Sequence, residues 1–183
     1  FCFMNLLRKS LYPLSLIYDI ASRVRNAAYD AQWLKQKQCK VPTIVVGNLI
    51  TGGSGKTPMI AYLLDHFSNH FSLAVLSRGY KRKSSGFVLA NQDSSMKSLG
   101  DETYLLSQKF PMTHFGVCKN RLKGVEQLLS KFPTIDGVLL DDGYQHRQLK
   151  PSFQILLTPY YNPWFRDCVC LLYTSPSPRD VRS

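Results

Sequence analysis

Acidic residues are in short supply. The chain has 12 Asp and Glu against 23 Lys and Arg, a formal net charge of +11 over 183 residues. An excess of this kind suits anionic partners: a nucleotide, a phospholipid, nucleic acid or a phosphorylated substrate. Paired Cys/His spacing and an aromatic–glycine RNA signature are both missing, so no nucleic-acid partner is expected. The five cysteines, Cys2, Cys39, Cys118, Cys168 and Cys170, form no metal-ligand or disulfide framework, and reduced thiols are expected. No apolar run approaches ~20 residues, so no spanning helix is expected. Arg8, Lys9 and Asp19 interrupt the N-terminal apolar residues, so neither is a cleavable signal peptide. There is no internal repeat. Apolar content, 44%, is ordinary for a globular protein, and the length fits one domain or one domain and part of another.

What is present is concentrated between Val41 and Pro58. The β-branched run Ile44 to Val46 reads as a buried strand. It feeds a glycine-rich turn, Gly52-Gly53-Ser54-Gly55, closed by Lys56 and Thr57. Ile60, Ala61, Leu63, Leu64 and Phe67 then recur at helical spacing. Strand, glycine turn, Lys-Thr and helix is the context of a phosphate-binding loop. Glycines let backbone N–H groups curl around phosphate oxygens, and the helix N-terminus adds unpaired N–H groups and partial positive charge. Lys56 is placed to reach the β/γ-phosphates, and Thr57 to hold Mg²⁺. The strict pattern wants a glycine where Ile50 stands; the bland alternative is a glycine-rich strand-to-helix turn followed by a lysine. The nucleotide contacts expected are Ile50, Thr51, Gly52, Gly53, Ser54, Gly55, Lys56 and Thr57.

Further strands are expected at Ser72–Ser77, Thr113–Val117, Asp136–Asp142 and Gln154–Leu157. Helices are expected from the loop to about Asn69, from Gly100 through Leu106, and over Arg121–Phe132. Residues 81–98 read as polar and loop-rich. Alternation of strands and helices predicts an α/β fold, a P-loop-like parallel sheet with helices on both faces. Before it, Leu7, Leu11, Leu14, Ile17, Tyr18, Ala21, Val24 and Ala28 form an apolar stripe flanked by Arg8, Lys9, Arg23 and Arg25. This basic amphipathic segment suits an anionic membrane surface, or equally a helix packed on the domain core. At the other end, residues 170–180 break the pattern and look like the in-frame translation of a common transposase sequencing adapter, the alternative being a natural Ser/Pro-rich tail; on the adapter reading native sequence is expected to stop near Val169. Residues 1–3 precede Met4, a plausible initiator. The expected organisation is 1–40 amphipathic segment, 41–169 incomplete P-loop domain, 170–183 non-native tail.

Val138-Leu139-Leu140-Asp141-Asp142 delivers two carboxylates to the end of a buried strand, the edge where parallel sheets place ligands and P-loop proteins place Mg²⁺. Asp101 and Glu102 open a helix. They either cap it and complement its dipole, or set a carboxylate near the γ-phosphate to deprotonate an attacking hydroxyl. His146 follows the acidic pair closely. Arg78 and Arg121 could each pair with a phosphate through a planar fork, or lie on the surface. His66, His70 and His114 carry no usable signal.

Assembled, these residues resemble the tetraacyldisaccharide 4′-kinases, the lipid A 4′-kinases of Gram-negative bacteria. The pieces are Val46-Gly47-Asn48-Leu49, Gly52 to Pro58, Ser77-Arg78-Gly79-Tyr80, Gly100-Asp101-Glu102, Asn120-Arg121 and Asp141-Asp142-Gly143-Tyr144-Gln145-His146. Residues 14–30 look like the family's membrane-associating helix. The resemblance covers 6–167, and the family tolerates a non-glycine at Ile50. It implies transfer of the ATP γ-phosphate to the 4′-hydroxyl of a tetraacylated disaccharide 1-phosphate, at the cytoplasmic face of the inner membrane, with the protein peripheral. It implies Asp101 and Lys56 as catalytic residues and Thr57, Glu102, Asp141 and Asp142 as Mg²⁺ ligands. Arg78, Arg121, Gln145 and His146 are implied as substrate or phosphate contacts. Asn120 stands where many relatives have Asp and receives no role. A Leu-Pro-x-Gly-x-Leu-Arg-Glu segment and a C-terminal lobe with a catalytic histidine, both expected after Asp167, are missing, so the 183-residue chain is expected to bind nucleotide poorly and not to turn over. Two other readings remain: a metallochaperone-type GTPase, against which the missing Asn-Lys-x-Asp motif counts, and a nucleotide-switched peripheral membrane module.

Overall fold

The β-branched residues Thr43 to Val46 do become a strand, paired on both sides. In a computed structural model of the chain, residues 20, 24–25, 27–29, 31, 33–48, 55–80, 82–142 and 148–158 are described. The strands are β1 (Lys37–Gln38), β2 (Thr43–Asn48), β3 (Leu73–Ser77), β4 (Val88–Leu89), β5 (His114–Val117), β6 (Gly137–Asp141), β7 (Leu149–Lys150) and β8 (Phe153–Leu157). The helices are α1 (Lys56–Phe67), α2 (Met96–Leu99), α3 (Asp101–Lys109) and α4 (Arg121–Lys131). Six strands form one sheet in the order β4-β5-β3-β6-β2-β8, and β1 pairs with β7 apart from it.

β2, β3, β5, β6 and β8 run parallel. Neighbouring residues of each inner strand point into different cores, which is why these strands read as continuous apolar runs. Val45, Ala74, Leu76, Val138 and Leu140 pack with Val125 and Leu128 of α4. Val46, Val75 and Leu139 pack on the other face with Ile60, Leu63 and Leu64 of α1 and Leu106 of α3. Gly124 lets α4 lie close on the sheet: a Cβ there would sit 2.7 Å from Leu76 Cδ2.

Three features depart from the expectations. The sheet is not wholly parallel, because β4 pairs antiparallel with β5 at one edge. Residues 81–98, expected as loop, hold β4 and also α2, whose first turn is closed by a reciprocal Ser95–Ser98 capping box. The β1–β7 pair had no sequence signal; two-residue strands seldom do. The described residues of 20–29 are helical, with Ile20 and Val24 exposed at 53% and 64%. Most of the amphipathic stripe, and all of the expected tail, lie outside the described residues.

Candidate active site

In the sheet order, β3, β6 and β2 are consecutive, so their carboxyl ends form one edge. That edge collects Ser77, Asp141, Asp142 and Asn48. Polar residues end these strands because the apolar run stops where the helical layers no longer cover the sheet. α1 starts just beyond β2. Gly55 caps it at φ 81°, a left-handed conformation that glycine adopts without strain, and it offers no side chain to cap the first-turn amides. The first turn carries no acid either, a composition that suits an anion at its amides and at the positive end of the dipole. Pro58 sits in that first turn, where its missing N–H costs nothing.

Lys56 turns back over the strand ends. Its Nζ donates to Asn48 Oδ1 at 3.0 Å and lies 3.3 Å from Asp142 Oδ1. Thr57 Oγ1 donates to Glu102 Oε2 at 2.6 Å, joining α1 to the first turn of α3. Two motifs 45 residues apart thus meet. Of the other expected nucleotide contacts, Gly55 is at the cap, and Ile50, Thr51, Gly52, Gly53 and Ser54 lie outside the described residues.

Asp141 is buried, at 7% exposure. Ser77 Oγ donates to its Oδ2 at 3.2 Å, while Oδ1 has no hydrogen-bond partner among the described residues. Burial, and after it the Glu102 carboxylate, pushes the Asp141 carboxyl up to about 6. Asp142 is half-exposed and holds φ 55°, a left-handed backbone. Thr57, Glu102, Asp141 and Asp142 offer only oxygen donors, the kind a hard cation such as Mg²⁺ takes, and the buried Oδ1 of Asp141, unpartnered among the described residues, is free to serve as a ligand. Among the described residues no three acidic, His or Cys side chains are close enough to hold an ion by themselves. Glu102, Asp141 and Asp142 therefore do not form a ready-made cage together; Mg²⁺ takes one or two carboxylates and draws its other oxygens from water and phosphate.

Asp101 is exposed at the start of α3. It does not cap the helix: Gly100 holds that place, with no side-chain cap bond. Gly100 is at φ 85°, and a Cβ on it would stand 2.5 Å from the Tyr80 carbonyl. Only glycine lets the Arg78-Gly79-Tyr80 turn press against the start of α3. Arg78, the first residue of this turn, is exposed. Arg121 is not a surface residue: at 1% exposure its guanidinium meets main-chain carbonyls. Asn120 caps α4, accepting from the Lys123 amide at 3.1 Å. Gln145 and His146 lie outside the described residues. His114 stacks on Phe132, away from this edge. Cys39 and Cys118 are free thiols.

Two site residues received no role from the sequence. Asn48 orients Lys56, and Ser77 holds Asp141 while accepting from the Gly79 amide at 3.3 Å. Their signal was available: each is a polar residue closing an apolar strand at the ligand-bearing edge.

A family model described as tetraacyldisaccharide-1-P 4′-kinase matches residues 7–170. A tetraacyldisaccharide 4′-kinase of Flavobacterium johnsoniae is 50% identical over 86% of this chain and 46% of its own length. One from Bacteroides thetaiotaomicron is 49% identical over 85% of this chain and 41% of its own length. A crystal structure described as the "apo" form of LpxK from Aquifex aeolicus in complex with ATP superposes with a TM-score of 0.73 at 41% identity, over 82% of this chain and 48% of that one. The chain spans about half the length of the curated relatives it matches.

Proposed function

The chain belongs to the tetraacyldisaccharide 4′-kinase family, and on that premise we propose that the protein transfers the γ-phosphate of ATP to the 4′-hydroxyl of a tetraacyldisaccharide 1-phosphate. One observation carries the reading most directly. Lys56 and Thr57, at the open N-terminus of α1, are bonded to carboxylates from two other elements, Asp142 after β6 and Glu102 on α3.

In this reading Asp101 accepts the proton of the 4′-hydroxyl. The freed oxygen pair forms the bond to the γ-phosphorus, and the bond from phosphorus to the β–γ bridging oxygen breaks, leaving ADP. Lys56 offsets charge on the transferring group, and the first-turn amides of α1 hold the phosphates. Asn48 fixes the direction of Lys56. Thr57, with one or two carboxylates drawn from Glu102, Asp141 and Asp142, would hold Mg²⁺, which supplies charge neutralisation at the phosphate oxygens. Arg78 is a candidate for the acceptor's own phosphate, with Gln145 and His146 as further contacts.

The basic excess and the exposed Ile20, Val24 and Trp33 suit a peripheral position on an anionic membrane, at the cytoplasmic face of the inner membrane. Among the described residues no helix is long and apolar enough to cross it.

The test is Asp101→Ala in the full-length protein, assayed for phosphorylation of the lipid disaccharide. Removing a general base is expected to lower kcat by about 10²–10⁴-fold. MgATP affinity should stay near wild type, since Asp101 is outside the proposed nucleotide and Mg²⁺ set, and thermal stability should fall by no more than the ~0.3–1 kcal/mol that one exposed first-turn acid contributes. An unchanged kcat would refute the assignment and favour a nucleotide-switched membrane module.

A further inference from the structure

Arg121 is the largest side chain that the fold buries completely, and among the described residues no carboxylate bonds its guanidinium. Nη1 donates to the Cys118 carbonyl at 2.6 Å. Nη2 donates to two successive carbonyls, Asp141 at 2.9 Å and Asp142 at 3.2 Å. Nε has no partner among the described residues. Burial lowers its pKa to about 10, the nearby Asp141 and Asp142 carboxylates opposing that, so it stays charged at neutral pH. A buried cation is costly, and an apolar side chain would fill the volume. What an apolar side chain could not do is hold the turn that follows β6.

That turn needs holding. Among the described residues Asp142 is the one non-glycine with a positive φ, at 55°, a region that L-residues avoid. It is fixed from two sides. Its amide donates to the Val46 carbonyl of β2 at 3.0 Å, and its carbonyl accepts from Arg121. Held so, its Oδ1 stands 3.3 Å from Lys56 Nζ.

We infer that Arg121 is a positioning residue, whose guanidinium clamps the carboxyl end of β6 in the left-handed turn that presents Asp142 to Lys56. It acts through the main chain rather than on a substrate phosphate. A planar fork reaching consecutive carbonyls is a task for arginine and not for lysine. The inference deepens the proposed kinase reading and rests on it for its kinetic test.

That test compares Arg121→Lys, Asp142→Asn and the double variant in the full-length protein, with kcat expressed per folded molecule. Arg121→Lys is expected to lower kcat about 100-fold, the scale of an ångström-level misplacement, while KM for the lipid acceptor changes little. The double variant should be no slower than Asp142→Asn alone, because both changes disable the same carboxylate. A loss confined to the acceptor KM would overturn the inference in favour of a direct phosphate contact. Losses that multiply in the double variant, or that vanish once folded fraction is counted, would overturn it in favour of a purely structural role.

Amide hydrogen exchange tests the clamp without any turnover when the unmodified protein is compared with Arg121→Lys: the Asp142 amide is bonded to Val46 and not to Arg121, so its protection should fall in the variant if the guanidinium holds the turn. The Asp142 amide should exchange within about tenfold of Leu139 and Leu140, as part of one cooperative unit. Exchange at the rate of an exposed turn would refute the clamp even if the kinase activity is confirmed. Conversely, an inactive protein whose Asp142 amide is protected, and loses that protection in Arg121→Lys, would sink the kinase reading and leave the clamp standing.

Discussion

Replacing Asp141 by Asn should stabilise the protein at neutral pH. The Asp141 carboxyl is buried, its Oδ1 is unpartnered among the described residues, and Glu102 and Asp142 add like charge while Lys56 opposes them. Its pKa rises from 3.8 to about 6. A carboxyl with a raised folded-state pKa binds more protons folded than unfolded between those values, so its contribution to stability is complete below about pH 4 and is lost as pH rises through about 6. A shift of this size corresponds to about 3 kcal/mol. Asn keeps the shape and can still accept from Ser77, but never ionises. In buffer free of nucleotide and Mg²⁺, urea unfolding at pH 4 should therefore give similar stabilities for both proteins. At pH 7.5 the variant should be the more stable by about 3 kcal/mol, moving the midpoint by roughly 1–2 M urea. The same substitution should depress turnover, since it removes a carboxylate from the proposed Mg²⁺ set. A stability difference that does not change with pH, or a wild type that is the more stable at pH 7.5, would refute the argument that Asp141 is held charged at a cost.

The other expectations follow from single contacts. Gly100→Ala puts a Cβ 2.5 Å from the Tyr80 carbonyl at φ 85°, so thermal unfolding should show a loss of about 2–4 kcal/mol, as for combined backbone strain and overpacking. A loss below about 0.5 kcal/mol would mean that the turn relaxes freely. Lys56→Met removes the cation bonded to Asn48 and Asp142. Steady-state kinetics should show kcat reduced by about 10²–10³-fold, the usual cost of one charge-stabilising donor. A change in the ATP KM alone would instead mark Lys56 as a ground-state binder.

Much of this protein was legible as a string because its signals are local. A parallel sheet buried on both faces demands apolar runs such as Val138 to Leu140, and α4 announces itself through Leu122, Val125, Leu128 and Leu129 at helical spacing. The departures are where local signals are weak or absent. β4 is two residues long and takes its direction from β5, and α2 depends on a reciprocal pair of serines rather than on an apolar stripe. Asp101 could be read equally as a cap or as a base. What decides against the cap is the contact between Gly100 and Tyr80, which forces glycine into the capping position and leaves the carboxylate exposed.

By itself the sequence determined the α/β class, the strand–turn–helix context of Lys56 and Thr57, the acidic pair closing β6 and the family to which the chain belongs. Each of these lies in contiguous residues, where periodicity, turn chemistry and motif spacing act over short range. Only the tertiary structure decided which of the polar residues meet. It set β3, β6 and β2 side by side, so that Ser77 reached Asp141 and Asn48 reached Lys56. It also sent Arg121 inward, to the carbonyls of a strand 20 residues away. Strand order and the burial of a charge depend on how distant segments pack against one another, and no local pattern in the chain encodes that.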